Sequence, residues 1–396
     1  MVTQIFDQLK PYLSFWPQAL IGFVTAMLLT PIFGAIAAKY DIYDYPAAMR
    51  KKISRIHNPH DRPDRHTHKK PIPLLGGLAV LLPVYAYILL NIGQTPHLIP
   101  IALGLTVLIA LGIADDRYNL PAKVQLSAQL LAVSLVVITP LEIHSIHIPF
   151  DGFINLDLWN WAWHYRFIDL SISLPGDLLL AFILLYSINS IKMVAGSDAL
   201  LEGNMIIAFL LVFIISLRDP SMHTISAISA LIVGAMLGYL PFNFPPAKIF
   251  TGSTGKSSYG FLLITLGMLA NVKMGTILLI IMLPLIDYMY VLMQRIVVHR
   301  PRGLFDLMKI NGTDHLHHQL SKMGLSPKQV LLAEVSISLL IGSIAVLSTG
   351  ALRFFFLIVG SAILLLFIAF LHWKVFLREK QTKKSRHQSP ESKYSY

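Results

Sequence analysis

Two aspartates stand side by side, Asp115-Asp116, where an apolar run gives way to "RYNLPAK". Adjacent carboxylates at a helix end can hold Mg²⁺, or one can act as a base while the other keeps its charge. The alternative is a solvated turn, with Pro121 opening the next helix at a favoured first-turn position. A second group is His315-Leu316-His317-His318. The spacing predicts a short helix ending near Gly324, with His315 and His318 on one face. Such histidines can bind phosphate when protonated or a metal when neutral, or simply form polar surface at the membrane interface. The third stretch is "FNFPPAKIFTGSTGKSSYG". Its Gly255-Lys256-Ser257 looks like the end of a phosphate-gripping P-loop, but the first glycine of that pattern should fall at 250, which is Phe250. The strand and helix of a soluble βαβ unit that such a loop joins are missing too. What remains is a glycine-rich turn whose backbone N–H groups can nest an anion, a kind of turn that is also common between spans.

These groups must be positioned by membrane-crossing elements. The 396 residues are 55% hydrophobic and only 13% charged, with a mean hydropathy of +0.63, far from the composition of a soluble domain. Eleven apolar runs are long enough to be read as crossing a ~30 Å hydrocarbon core: roughly 15–38, 74–92, 97–114, 121–140, 175–191, 199–216, 223–240, 257–271, 274–293, 328–348 and 352–373. The expected fold class is therefore all-α, a polytopic membrane helix bundle. With the amino terminus outside and the carboxyl terminus cytoplasmic, 27 of the 32 lysines and arginines fall on the inner side, a strong positive-inside asymmetry. The net charge of +11 is then a topology signal, and nucleic-acid binding, which wants a folded basic face with aromatic readers, is not expected. Cysteine is absent, which removes disulfide and thiolate chemistry. The first 20 residues lack the uninterrupted apolar core of a cleavable signal peptide, so the first hydrophobic segment is expected to be retained.

The inner segments 39–73, 115–123, 192–198, 241–256 and 294–328 carry the polar motifs, within one membrane domain spanning 1–373; residues 374–396 read as a basic, disordered cytoplasmic tail. The long outer loop, about 141–174, holds Trp159, Trp161 and Trp163, read as an interfacial aromatic belt. Asp287 is the clearest ionisable residue inside a span. On its own it would suit a transporter, whose sites lie near the midplane.

Taken in order, the inner loops resemble the polyprenyl-phosphate N-acetylhexosamine-1-phosphate transferases, also called glycosyltransferase family 4. "DRPDRHTHKKPIPLLGG" resembles that family's basic loop before the second span, "GIADDRYNLPAK" keeps its paired aspartates, and "INSIKMVAGSDAL" resembles its Asn-x-x-Asn-x-x-Asp-Gly-x-Asp-Gly-Leu segment. "FNFPPAKIFTGSTGKSSYG" resembles the Phe-Asn-x-x-Pro-Ala-Lys-x-Phe-x-Gly-Asp-x-Gly-Ser loop, and "HLHHQLSKMGLSPKQ" the histidine motif. The resemblance runs from about Asp61 to Gln329. It implies transfer of a sugar 1-phosphate from a UDP-sugar to polyprenyl phosphate, with Mg²⁺ and release of UMP, at the cytoplasmic face of the inner membrane during cell-envelope polysaccharide synthesis. By the same resemblance Asp115, Asp116, Asp198, His315, His317 and His318 are the catalytic candidates. Lys69, Lys70, Asn189, Lys192, Asn243, Lys248 and Lys256 are the substrate-binding ones, and Asp115 and Asp116 would hold any metal. The implied partners are the lipid phosphate, the nucleotide sugar and the membrane; a homodimer or an assembly with other envelope-biosynthesis enzymes stays open.

The chain departs from the motifs at their acids. Lys192 replaces an asparagine, Ala195 and Ser253 replace aspartates, Ala199 a glycine and Lys256 a serine. Ahead of the histidines, Gly312-Thr313 stands where Asp-Arg is usual. Two carboxylates lost and two lysines gained shift the site by +4 in charge. One carboxylate facing a divalent ion near 4 Å is worth several kcal/mol at an effective dielectric of about 20, so weak or absent Mg²⁺ binding is expected. Two readings of different classes follow. One is a divergent transferase using Asp115 and Asp116 with lysines stabilising the phosphates. The other is a non-catalytic relative that binds polyprenyl phosphate or nucleotide sugar.

Overall fold

The structure, a computed structural model, describes residues 14–46, 49, 70–139, 141, 143–148, 152–165, 168–303, 306–307, 310 and 312–388. Lys69 and most of the basic first loop lie outside them. Each of the eleven apolar runs falls on helix: α1 (Trp16–Lys39), α2 (Gly76–Asn91), α3 (Leu98–Tyr118), α4 (Ala122–Val137), α5 (Gly176–Val194), α6 (Leu200–Ser216), α7 (His223–Asn243), α8 (Gly252–Leu269), the broken pair α9 (Met274–Ile280) and α10 (Met282–His299), then α12 (Pro327–Leu347) and α13 (Gly350–Gln388). The short α11 (Leu316–Lys322) precedes α12. Among the described residues, six helices are long and apolar enough to cross a membrane, and seven if α9 and α10, bent by 76°, count as one span. Helices α2, α4 and α6 have 16 or 17 residues, short of the ~20 needed to span unaided.

Several boundaries differ from the sequence reading. Pro121 is the N-cap of α4, one position before the first turn. Helix α5 continues through Val194 and α8 starts at Gly252. Lys192 and Lys256 are therefore helical residues, and their reading as loop residues is corrected. At the far end α13 runs to Gln388, so 374–388 is helical where a disordered tail was expected. Arg378 donates to the Met323 carbonyl at 3.0 Å, and Lys322 lies 3.7 Å from Glu379, tying this extension to the end of α11. The segment between α4 and α5, expected on the outer side, carries two hairpins, β3 (Ser145–Ile148) with β4 (Gly152–Asn155), and β5 (Asp157–Tyr165) with β6 (Ile168–Pro175). Trp159, Trp161 and Trp163 alternate along β5 opposite Leu174, Ile172 and Leu170, so they share one face of the ribbon, and all three are exposed.

Packing around the site relies on close backbone approach. Helix α7 carries Gly234-x-x-x-Gly238 against α1, and a Cβ at either glycine would collide with the backbone of Ala19 or Phe23. Small residues at this spacing bring helix backbones together in bilayers, where dispersion and not water exclusion drives association. The colliding atoms are main chain and cannot swing aside. Gly238→Leu should therefore lower the unfolding midpoint in detergent, by an amount equivalent to roughly 1–3 kcal/mol or more; an unchanged midpoint would show that this contact is not formed. Gly112 does the same for α3 against α8, its hydrogen facing the backbone of Thr254.

Candidate active site

Five helices bring the polar motifs together. Gly112 presses α3 onto the first turn of α8, which places the last turn of α3, and with it Asp115 and Asp116, against Ser253. The Ser253 amide donates to Asp116 Oδ1 at 2.7 Å and its hydroxyl to Asp115 Oδ2 at 2.5 Å. Asp115 Oδ1 accepts from the Leu120 amide and from Gln125 Nε2, each at 2.9 Å. Gln125 also accepts from Lys192 Nζ at 2.5 Å, so the lysine of α5 reaches the aspartate pair through one amide. Lys256, one helical turn beyond Ser253, acts electrostatically on Asp116 and on the buried Glu202, and Lys192 acts on Asp116 as well. Gly252 opens α8 with φ of 71°, and a Cβ there would strike the Asp116 carboxylate. Only glycine both adopts this left-handed turn cheaply and admits the acid.

The fourth inner loop is held as a rigid strap. Its main chain bonds to the entry of α2, Gly76 N–H to Phe250 at 2.9 Å and Gly77 N–H to Thr251 at 2.8 Å, while Phe250 N–H returns to Pro73 at 2.9 Å. Pro73 itself belongs to a two-residue ladder, β1 (Tyr43–Asp44) with β2 (Ile72–Pro73). Asn243 is buried and structural: its side chain accepts from the Ala199 amide at 2.8 Å and donates to the Ile249 carbonyl at 2.9 Å. Asp198 accepts from the Ala247 amide at 2.9 Å, locking the third loop to the fourth. Asn189 bonds Gln129 and the Leu185 carbonyl inside the bundle. The Lys248 and Lys70 side chains are exposed.

The histidines approach from the other side. His315 is the N-cap of α11 and not a helical residue, so the expectation that it shares a helical face with His318 is corrected. The rings instead form a row, His315 to His317 at 6.0 Å and nearly parallel, then His317 to His318 at 4.2 Å. A Cβ on Gly196 would collide with the His317 ring, which seats the row on the third loop, two residues from Asp198. Asp287 of α10 anchors it. One carboxylate oxygen accepts from the Leu316 amide at 2.8 Å and the other lies 2.8 Å from His315 Nδ1. Asp287 thus belongs to the histidine loop, and its use as a transporter signal falls away. Buried Arg295 pairs with Asp314 at 3.7 Å just before the row.

Sequence reading missed Glu202, which accepts a short bond from the Thr251 hydroxyl, as well as Gln125 and the role of Asp287. The signal for the two acids was a lone carboxylate inside an otherwise apolar run. Their partners, 49 and 28 residues away, gave none.

With this geometry in hand, comparison with known proteins places the chain. Residues 98–271, from α3 through α8, match the family model described as glycosyl transferase family 4. That stretch is similar to glycosyl transferase family 4. The chain is 27% identical to a probable undecaprenyl-phosphate N-acetylglucosaminyl 1-phosphate transferase of Bacillus subtilis, over 79% of each chain. It is 26% identical to the decaprenyl-phosphate N-acetylglucosaminephosphotransferase of Mycobacterium leprae, again over 79% of each. Against the phospho-N-acetylmuramoyl-pentapeptide-transferase of Bacillus licheniformis it is 25% identical, over 83% of this chain and 95% of the relative. The chain is a multi-pass membrane protein, and the relatives it matches are named as transferases.

The metal that the family resemblance implies does not suit this donor set. Among the described residues no group of three or more histidines, aspartates or glutamates is arranged to hold an ion. Three of the four oxygens of Asp115 and Asp116 accept protein hydrogen bonds. The fourth, Asp116 Oδ2, is buried under Gly252. Mg²⁺ wants near-octahedral oxygen ligands at about 2.0–2.1 Å. Two ammonium groups also act on the pair, and an ammonium about 5 Å from a divalent ion opposes it by roughly 6 kcal/mol at an effective dielectric of 20.

Proposed function

We propose that this chain transfers a sugar 1-phosphate from a UDP-sugar to polyprenyl phosphate, of the undecaprenyl type, at the cytoplasmic face of the inner membrane, for cell-envelope polysaccharide synthesis. The observation that carries the reading is the pairing of Asp115 and Asp116 with Ser253 and, through Gln125, with Lys192, four residues before the Gly196 on which His317 of the histidine row is seated. The chemistry asks little of covalent catalysis. An oxygen of the lipid phosphate attacks the sugar-bearing phosphorus of the nucleotide sugar. The bond from that phosphorus to the bridging oxygen breaks, and the oxygen leaves on UMP. Both the nucleophile and the leaving group are anionic, so positioning and positive charge supply the catalysis. Lys192 and Lys256 are the cations placed for it, with the histidines as donors to phosphate oxygens when protonated. The acids set the charge and orientation of the lysines.

A second reading, binding without transfer, is favoured by one observation: the Asp115 carboxylate is fully occupied by Ser253, Gln125 and the Leu120 amide. The deciding experiment is UMP release by the purified protein with undecaprenyl phosphate and a panel of UDP-sugars, with Mg²⁺ and Mn²⁺ titrated from zero. Turnover with any sugar supports the transferase. No turnover across the panel, with lipid phosphate still bound, makes this a binding protein.

A further inference from the structure

We infer that Lys192, Lys256 and the Ser253 hydroxyl take the place of a divalent ion at the Asp115–Asp116 pair, so that the site binds the diphosphate of its ligand without metal. The inference rests on the proposed function only for the identity of that ligand. The counter-charge arrangement is read from the residues themselves.

Two lysines act on the two carboxylates and offset their charge without an ion, Lys256 being shared with Glu202. The lysines are not equivalent. Lys192 acts through Gln125, whose carbonyl accepts its ammonium at 2.5 Å while its amide donates to Asp115 at 2.9 Å. The positive charge is thereby held one hydrogen-bond relay from the acid. Lys256 lies one helical turn beyond Ser253 on α8, and its charge acts on both Asp116 and Glu202. Ser253 closes the remaining gap by donating both its amide and its hydroxyl, one to each aspartate. An aspartate at 253 could make the first of these bonds but not the second, and would add a negative charge that only a cation could offset. The serine and the lysines therefore form one coherent replacement: a hydroxyl donor where an ionised ligand would need metal, and ammonium groups supplying positive charge in its stead. A UDP diphosphate arriving here meets cations whose positions the acids fix. It gains hydrogen bonds from Lys nitrogen without waiting for an ion to bind.

The test uses the full chain in nanodiscs, with Mn²⁺ followed by its paramagnetic resonance signal and UDP followed by calorimetry. Expected is no Mn²⁺ site tighter than about 1 mM that depends on Asp115, with UDP affinity equal within roughly twofold in EDTA and in Mg²⁺, and weakened about tenfold by Lys256→Gln. The double variant Ser253→Asp, Lys256→Ser should gain a Mn²⁺ site. Ser253→Asp alone should not, because Lys192 and Lys256 remain. A Mn²⁺ site in the unaltered protein that Asp115→Asn removes would overturn the inference, as would loss of UDP binding in EDTA. Absence of UDP binding in both buffers would overturn the ligand assignment together with the transferase reading, and the Mn²⁺ titration would then decide the counter-charge on its own. Should the double variant fail to fold, the two arms on the unaltered chain still decide.

Discussion

Asp115→Asn will lower UMP release by roughly 10²–10⁴-fold, the range typical of removing a positioned acid–base or charge-holding group, while leaving the folded state almost as stable. The separation of the two effects follows from the geometry. Asparagine keeps an oxygen that can accept from the Leu120 amide and Gln125 Nε2, the two bonds that close the end of α3 onto α4. Its amide nitrogen then faces the Ser253 hydroxyl, which can rotate from donor to acceptor. No buried partner is stranded, so the melting point should move by only a few degrees. The charge, however, is gone. Lys192, which reaches Asp115 through Gln125, loses the anion that holds it in place, and the positive field on the phosphates is no longer fixed in direction. Turnover measured beside a thermal melt checks both halves. Retained turnover would remove Asp115 from the site; collapse of the melt would make it a structural acid only.

How far this site could be read from the sequence depended on distance along the chain. Asp115 and Asp116 were legible because two adjacent charges at the end of an apolar run have little reason to be there for packing alone. The histidine row was legible as a cluster, but its geometry was not: helical spacing put His315 and His318 together, whereas His315 leaves the helix as its N-cap because Asp287 offers its carboxylate to the Leu316 amide. That acid belongs to α10, and no local pattern announces a cap supplied from 29 residues upstream. Likewise Asn243 looked like a ligand for substrate. Its side chain joins Ala199 to Ile249, a role that appears only when two loops meet.

The element boundaries erred for a related reason. Hydropathy locates where a helix is apolar, not where it stops. Lys192 and Lys256 are polar residues on helices that continue past the hydrophobic segment, because intrahelical hydrogen bonds still satisfy the backbone there. The tail shows the same thing at larger scale, with α13 extended by its contacts to Met323 and Lys322. In the outer loop the period-two tryptophans of β5 were a strand signal hidden by their equally good fit to an interfacial belt.

Asp287→Asn should depress turnover by roughly tenfold or more, as expected for groups that orient a working histidine, and the loss should come from the wrong ring proton and not from a lost contact. In the native arrangement the carboxylate lies 2.8 Å from His315 Nδ1 and can only accept, so Nδ1 carries the hydrogen and the buried Nε2 is left with its lone pair or a second proton. Asparagine can keep its oxygen on the Leu316 amide, preserving the cap, but then presents an N–H to Nδ1. The ring must switch to the tautomer protonated at Nε2, as happens when the acid partner of a catalytic histidine is made an amide. His315 is 2% exposed, so water cannot repair the mismatch. Asp287→Ala is a different experiment: it leaves both the Leu316 amide and His315 without their acceptor and should cost about 3 kcal/mol or more in stability. A structural role alone predicts that Asn is harmless and Ala harmful. The orienting role predicts that Asn keeps the melting point yet lowers turnover and shifts its pH dependence, with Asp287→Glu recovering part of the rate. An Asn variant with unaltered rate and pH profile would reduce Asp287 to a helix cap.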